Sequence, residues 1–501
     1  MSIKYVSTRI GDNNRYSPAE VILRGLTEDG GLFLPTEIPA FDKGELEALA
    51  GQPYPAVAAD VLHRYFPCFS LRELRADAEQ AYGEAKFPDG AAPLRMLDDK
   101  IFVCELWHGP TCAFKDMALQ MLPRLVVRAM KKLREKRTAL FVTATSGDTG
   151  KAAMEGFCDV AGTAIKVFFP SEGVSDTQRL QMITQEGENV SATGINGNFD
   201  DAQKAVKTML ADRRMRKKLH RQKMFLCSAN SINWGRLVSQ IVYYVYAYNA
   251  MVRNGALLPG EEADVCVPSG NFGNILAAWM AKKMGVPFGR LICASNKNNV
   301  LTEFFETGVY DTRREFWHTI SPSMDILTAS NLERLLSFVA GPVETTGCME
   351  RLRDCGVFGV EEAVLTKLRE DFVAFDTGEQ ATLETIARTW ADRHYLCDPH
   401  TAVALSAARR WEKEPDAARR VLVVSTASPY KFSESVYTAI ADRVPEAGED
   451  AMALLHAATR EPIPAPLCGL AEKPVRFGDG IDVDRVGEDL AAFAARMRLS
   501  R

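Results

Sequence analysis

The stretch Ala263–Gly285, ADVCVPSGNFGNILAAWMAKKMG, decides the fold. Ala263–Pro268 is an apolar run with the length of a buried strand, residues 269–273 form a loop with glycines at 270 and 273, and a helical pattern begins near Asn274. A strand running through a glycine loop into a helix is half of a βαβ unit, and such units build open parallel sheets. The unpaired NH groups of the helix start, approached closely where Cβ is missing, suit an anion. The same residues also suit the tight turn that any such junction needs.

Working outward, IFVCEL (101–106), ALFVTAT (139–145), AIKVFFP (164–170), RLICAS (290–295) and RVLVVST (420–426) are further short apolar runs. All but the first follow helical sequence, which predicts a doubly wound α/β architecture with a largely parallel sheet and ligands at the carboxyl ends of its strands. Before this region, TEDGGLFLP (27–35) is turn-rich, LRELRADAEQAYGEA (71–85) has helical spacing, and KFPDGAAPLRML (86–97) is a connector. We therefore expect an N-terminal domain over 1–92, a catalytic α/β region over 93–435 with a mostly helical insertion at about 304–393, and a helical, Pro-rich extension over 436–501. A chain of 501 residues exceeds one hydrophobic core, and roughly 150 residues per domain predicts about three units.

A net charge of −5 and 25% charged residues exclude the basic excess of a nucleic-acid binder. The eleven cysteines include no CxxC pair and no Cys/His cluster at zinc spacing, so they are expected to be reduced thiols, and no metal site is expected. MSIKYVSTRIGDNN has no apolar signal core, and IVYYVYAYNAMV (241–252) is too short to cross a bilayer. The expectation is a cytoplasmic protein acting on a small molecule, with no nucleic-acid or membrane partner.

Three other loops repeat the first plan. In TATSGDTGKAA (143–153) a strand delivers Thr145, Ser146, Asp148 and Thr149 to a helix start, where hydroxyls and backbone suit a carboxylate or phosphate and where the same residues suit helix capping. NSINWGR (230–236) presents Asn230, Ser231 and Arg236, whose guanidinium is a phosphate fork or, alternatively, a solvated cation. STASPYKF (425–432) brings Thr426 to a turn at a strand end. Beside these lies HGPTCAFKDMALQ (108–120), with Lys115 at the point where a Gly-Pro loop gives way to a helix. An amine with a lowered pKa next to anion cradles suits Schiff-base chemistry with an aldehyde cofactor that carries a phosphate, and pyridoxal 5'-phosphate is that cofactor.

HGPTCAFKDMALQ, TATSGDTGKAA, NSINWGR, VPSGNFGN, SPSMDI (321–326), SNLERLL (330–336) and DPHTAVAL (398–405), in this order, together resemble the long form of threonine synthase. The resemblance runs from YVSTRI (5–10) to STASPYKF. It implies pyridoxal-phosphate fold type II, tryptophan-synthase-β-like, with two doubly wound subdomains around the cofactor plus an N-terminal domain. It implies conversion of O-phospho-L-homoserine and water to L-threonine and phosphate, the last step of threonine biosynthesis, by a monomer or homodimer.

By the same resemblance Lys115 is the Schiff-base lysine, Gly270, Asn271, Phe272, Gly273 and Asn274 hold the cofactor phosphate, and Thr426 faces the pyridine nitrogen. Asn230, Ser231 and Arg236, helped by Thr149 and Asn271, take the substrate phosphate. Thr145, Ser146 and Asp148 lie where the family binds the α-carboxylate and approaches the cofactor O3′. Relatives of this fold often carry asparagine at the position of Asp148. The last motif departs from the family's TAHPAKF, with Ser428 and Tyr430 in TASPYKF. Dehydratases and cysteine-synthase-like enzymes of this fold need the lysine and glycine loop but no substrate-phosphate fork. A cofactor-binding protein without turnover is a further alternative, and a dinucleotide oxidoreductase lacks its glycine fingerprint here.

Overall fold

Four of the six apolar runs meet in one sheet and two in another. The computed structural model describes residues 3–145, 147–171, 174–197, 199–417, 419–478 and 480–499. The larger sheet has the order Phe372–Asp376, Phe288–Ser295, Ala263–Pro268, Arg420–Ser425, Ile101–Glu105, Leu94–Met96, parallel except for the last strand. The second has the order Ile481–Asp482, Val190–Asn196, Thr163–Pro170, Thr138–Ala144, Met224–Ser228, all parallel. Every residue of Thr138–Ala144 and Thr163–Pro170 is buried. Parallel strands covered on both faces read as unbroken apolar runs, which is why these two stood out in the sequence.

Each sheet contains a reversal of its winding direction beside its central strands. In the larger sheet the chain moves outward from Ala263–Pro268 to Phe372–Asp376 and then returns to insert Arg420–Ser425 on the other side. In the smaller it moves outward from Thr138–Ala144 to Val190–Asn196 and returns to Met224–Ser228 on the opposite flank. A crevice opens outside the carboxyl ends of the strands at such a reversal. The loops there are those after Glu105, Pro268 and Ser425 in one sheet and after Ala144 and Ser228 in the other. These are the five candidate loops.

The region expected to be mostly helical, about 304–393, contains three strands: Val309–Asp311 and Val357–Gly359 pair with each other, and the third joins the larger sheet. Helix Glu362–Asp371 gives way to Phe372–Asp376, whose Phe372 pairs with Leu291 and Val373 with Ile292. Val190–Asn196 (VSATGIN) also lacks an apolar signature, and its pairing with Thr163–Pro170 makes it a strand. The C-terminal extension contributes Ile481–Asp482 to the sheet edge and helix Val486–Leu499, whose Asp489 reaches the buried Lys166 at 2.5 Å. Helix Ser433–Ala441 runs across the limit expected at residue 435.

The N-terminal segment packs on helix Trp234–Arg253, which is buried along nearly its whole length. Two of the segment's helices, Pro18–Leu23 and Leu71–Tyr82, start at capping boxes, Ser17 with Glu20 and Ser70 with Glu73. Tyr5 accepts from Trp234 Nε1 at 3.0 Å and donates to the Tyr65 carbonyl at 2.8 Å. Arg9 makes a two-pronged contact with Glu333, at 2.8 and 2.9 Å. The neighbouring Arg334 is fully buried and donates to the carbonyls of Phe33 at 3.0 Å and Ile232 at 2.6 Å.

Candidate active site

Lys115 stands at the start of the short helix Asp116–Leu119, at the end of the loop that follows Ile101–Glu105. That loop is stitched to the end of Arg420–Ser425: the Phe114 NH donates to the Thr426 carbonyl at 2.8 Å, and Ala113 bridges Ala427. Lys115 is 9% exposed, and its Nζ donates to Ser323 Oγ at 3.2 Å and lies 3.6 Å from Asp148 Oδ2. Burial pulls its pKa down to about 8, opposed by the Asp148 carboxylate and assisted by the charges of Arg236 and Lys431. Lys115, Asp148 and Thr426, from three loops and both sheets, therefore come together.

The loop after Ala263–Pro268 is open to an anion. Helix Gly273–Lys283 starts from Phe272 in a left-handed conformation, φ 61°, and no side chain caps it. Gly270 packs so tightly that a Cβ would lie 2.6 Å from the Ser323 carbonyl oxygen. Asn274 accepts from the hydroxyls of Tyr243 and Tyr244, while its buried Nδ2 has no partner. An uncapped helix start beside an orphaned buried amide donor fits a phosphate. Phe272 is buried against Phe305 and Phe372, fixing the loop to the sheet.

Across the crevice, helix Trp234–Arg253 carries Arg236 in its first turn. Arg236 is buried, and its guanidinium donates to the Ala229 carbonyl at 2.9 Å and has no carboxylate partner among the described residues. Burial pulls its pKa down to about 10, so it remains a cation at neutral pH. Asn230 accepts from Thr143, which ties this loop to the neighbouring switch-point strand and leaves the Asn230 amide nitrogen able to donate. Ser231 and Thr149 are half-buried. A desolvated, unpaired cation beside amide and hydroxyl donors is a second anion cradle.

Thr145 performs the capping that the sequence offered to Asp148: its Oγ1 accepts from the NH of Gly147 at 3.0 Å and of Gly150 at 2.9 Å. Its hydroxyl hydrogen stays available to a ligand. Ser146 lies outside the described residues. Asp148 opens helix Asp148–Phe157, but its carboxylate turns to Lys431 at 2.6 Å and Gln178 at 2.8 Å. Burial pushes its pKa up, yet Lys431, Lys115 and Gln178 together hold it well below the usual carboxylate range. Ser428 caps the turn Pro429–Phe432 and Tyr430 donates to the Glu461 carbonyl, and the same turn brings Lys431 to Asp148.

Several residues that act on the site carried no assignment from sequence. Ser323 touches Lys115, and Asn331 donates to the Asn271 carbonyl at 3.0 Å and to the Ser231 carbonyl at 3.4 Å, joining the two cradles. Ser330 reaches the exposed Asn271 side chain at 3.3 Å. Their only sequence signal was membership in SPSMDI and SNLERLL, whose partners lie far away in the chain.

Family models match most of the chain: "Threonine synthase N terminus" over residues 4–82, "Pyridoxal-phosphate dependent enzyme" over 90–345 and "Threonine synthase, C-terminal" over 401–486. Threonine synthase of Schizosaccharomyces pombe is 37% identical over 469 residues, 87% of this chain and 89% of its own. Threonine synthase-like 1 of Homo sapiens is 41% identical over 437 residues, 84% of this chain, and the match spans 58% of that relative's length. The crystal structure of threonine synthase from Brucella melitensis with bound pyridoxal phosphate superposes with a TM-score of 0.87 at 36% identity, covering 98% of this chain and 100% of its own.

Proposed function

The chain belongs to the threonine synthase family of pyridoxal-phosphate-dependent enzymes with the fold type II architecture, and from that premise we propose that it converts O-phospho-L-homoserine and water to L-threonine and phosphate. The observation that carries the reading is the presence of two separate anion cradles flanking one buried lysine. A dehydratase or a cysteine-synthase-like enzyme needs only the first cradle.

Residues 270–274 hold the cofactor phosphate through the helix start and the unpartnered Asn274 amide. Thr426 would hold the pyridine nitrogen through a neutral hydroxyl, which would leave that nitrogen largely unprotonated. Lys115 attaches the cofactor. Bound there, pyridoxal phosphate supplies an electron sink for negative charge developing on the substrate carbon skeleton. Arg236, Asn230 and Ser231, with Thr149 and Asn271 beside them, grip the substrate phosphate. Thr145 and Ser146 orient the α-carboxylate, and Asp148 stands beside the cofactor O3′.

When not attached to the cofactor, Lys115 Nζ would move protons at the substrate's Cα and Cβ, a task suited to an amine that burial pulls down to about 8. Phosphate leaves Cγ with the C–O electron pair as Cβ gives up a proton to Lys115 Nζ, that proton returns at Cγ to make the methyl group, and the phosphate, still held by Arg236, acts as the base for the water that adds at Cβ. Undiminished turnover in Arg236→Ala would rule that last step out. The domain limits we propose remain near 1–92, 93–435 and 436–501. A cytoplasmic, monomeric or homodimeric enzyme fits the eleven free thiols.

Purified protein supplied with pyridoxal phosphate and O-phospho-L-homoserine is expected to yield threonine and phosphate, and Lys115→Ala neither. Phosphate accompanied by 2-oxobutyrate would instead identify a lyase on this scaffold.

A further inference from the structure

Asp148 sits between two lysines. Its Oδ1 takes Lys431 Nζ at 2.6 Å and Gln178 Nε2 at 2.8 Å, while Oδ2 faces Lys115 Nζ at 3.6 Å. Asp148 is 4% exposed and Lys431 1% exposed, so neither charge is shared with water. Lys431 is also tied to the Thr111 carbonyl at 3.0 Å, on the loop that leads to Lys115. It comes from the turn after Arg420–Ser425 in the larger sheet, whereas Asp148 opens the helix after Thr138–Ala144 in the smaller one. The pair therefore crosses between the two sheets.

A buried carboxylate needs a permanent counter-charge. Lys115 cannot be that partner, because its task requires its nitrogen to give up and regain a proton. Lys431 has no such task and no route to solvent. We infer that Lys431 is a positioning residue, the fixed counter-charge that keeps Asp148 anionic whatever the state of Lys115, so that Lys115 can lose its proton without stranding the carboxylate. This rests on the reading that Lys115 carries the cofactor.

The groups facing this triad are few. Lys115 feels Asp148, Arg236 and Lys431, and Lys431 also faces Cys112 and Asp116, the latter held by Thr111 at 2.7 and 2.8 Å. With Lys431 removed, deprotonation at the Lys115 nitrogen leaves a lone carboxylate and is harder. With the carboxylate removed, only cations remain near that nitrogen, and deprotonation is easier.

The test is a pH titration of the absorbance band of the bound cofactor in the holoenzyme, a readout independent of turnover. The transition should move up by about one unit or more in Lys431→Met and down in Asp148→Asn, with the double variant between them. Shifts of the same sign, or none, overturn the inference, since loss of packing has no reason to produce opposite signs. If Lys431→Met does not fold, the double variant decides. Removal of both charges should restore soluble protein, and a double variant no better than Lys431→Met overturns the charge account. A band that survives Lys115→Ala would overturn both this inference and the assignment of Lys115, whereas a band that needs Lys115 but shifts with one sign overturns this inference alone.

Discussion

The main-chain NH of Ser323 donates to His400 Nε2 at 3.1 Å, and Nδ1 of the same ring lies 2.7 Å from Asp398 Oδ2. The first bond makes Nε2 an acceptor, so the ring carries its proton on Nδ1 toward Asp398. Asp398 caps helix Pro399–Trp411, and that helix thereby holds the loop whose Ser323 hydroxyl touches Lys115.

Replacing His400 by alanine should leave the Ser323 NH unpaired, at a cost of about 1–3 kcal/mol. Thermal unfolding of the cofactor-free protein measures it, and kcat should fall as Ser323 loosens its hold on Lys115. An unchanged melting temperature would mean that the loop is held by other contacts.

Cofactor capture should follow the Lys115 amine. With its pKa pulled down to about 8 from 10.5, half the amine is neutral near pH 8, against about 0.3% for an unperturbed lysine. The rate of capture by the cofactor-free protein should rise through pH 8 and level off above it. Between about 8 and 10.5 the unfolded chain binds a proton that the folded chain has lost, so this group's contribution to stability rises with pH across that window. A capture rate still climbing steeply at pH 10 would contradict the assignment.

Two neighbouring glycines should respond differently to alanine. At Gly270 the new Cβ meets the Ser323 carbonyl oxygen at 2.6 Å, a backbone atom that cannot swing aside. At Gly273 it meets the side-chain nitrogens of Asn331 at 3.3 Å and Gln240 at 3.8 Å. Gly270→Ala should cost about 1–3 kcal/mol in denaturant unfolding of the cofactor-free protein and Gly273→Ala less than about 0.5 kcal/mol. Equal losses would refute the distinction.

Arg334 is a buried strut between the N-terminal segment and the substrate-side loop, bonded to Phe33, Ile232 and Asn331. Arg334→Leu strips bonds from three acceptors, and at roughly 1 kcal/mol each the loss should be about 3 kcal/mol. Limited proteolysis should then release N-terminal fragments, and KM should rise as the Asn230–Ser231 loop relaxes. A variant as resistant as the parent would show that the hydrophobic contacts of Tyr5 and Phe33 suffice.

What was legible in the sequence was local. VPSGNFGN and TATSGDTG announce themselves because a strand end, a glycine and a helix start are determined within a few residues, and the fully buried parallel strands leave unbroken apolar runs. The ordered motifs then pointed to Lys115, Arg236 and the cofactor. VSATGIN carried no such mark, and the apolar run FVAF directly follows helical sequence and reads as its continuation; the strand character of both comes from pairing with neighbours distant in the chain.

The sequence by itself determined which residue types stand at which strand ends, and so the class of chemistry. Only the tertiary structure decided how they are partnered: that Asp148 answers to Lys431 and does not cap its own helix, that Thr145 caps it instead, that Ser323 reaches Lys115, and that Asn331 joins loops from both sheets. The physical reason is that a buried charge or donor must take a satisfying partner close in space, and at a crevice between two sheets that partner can come from a different loop, at no fixed distance along the chain.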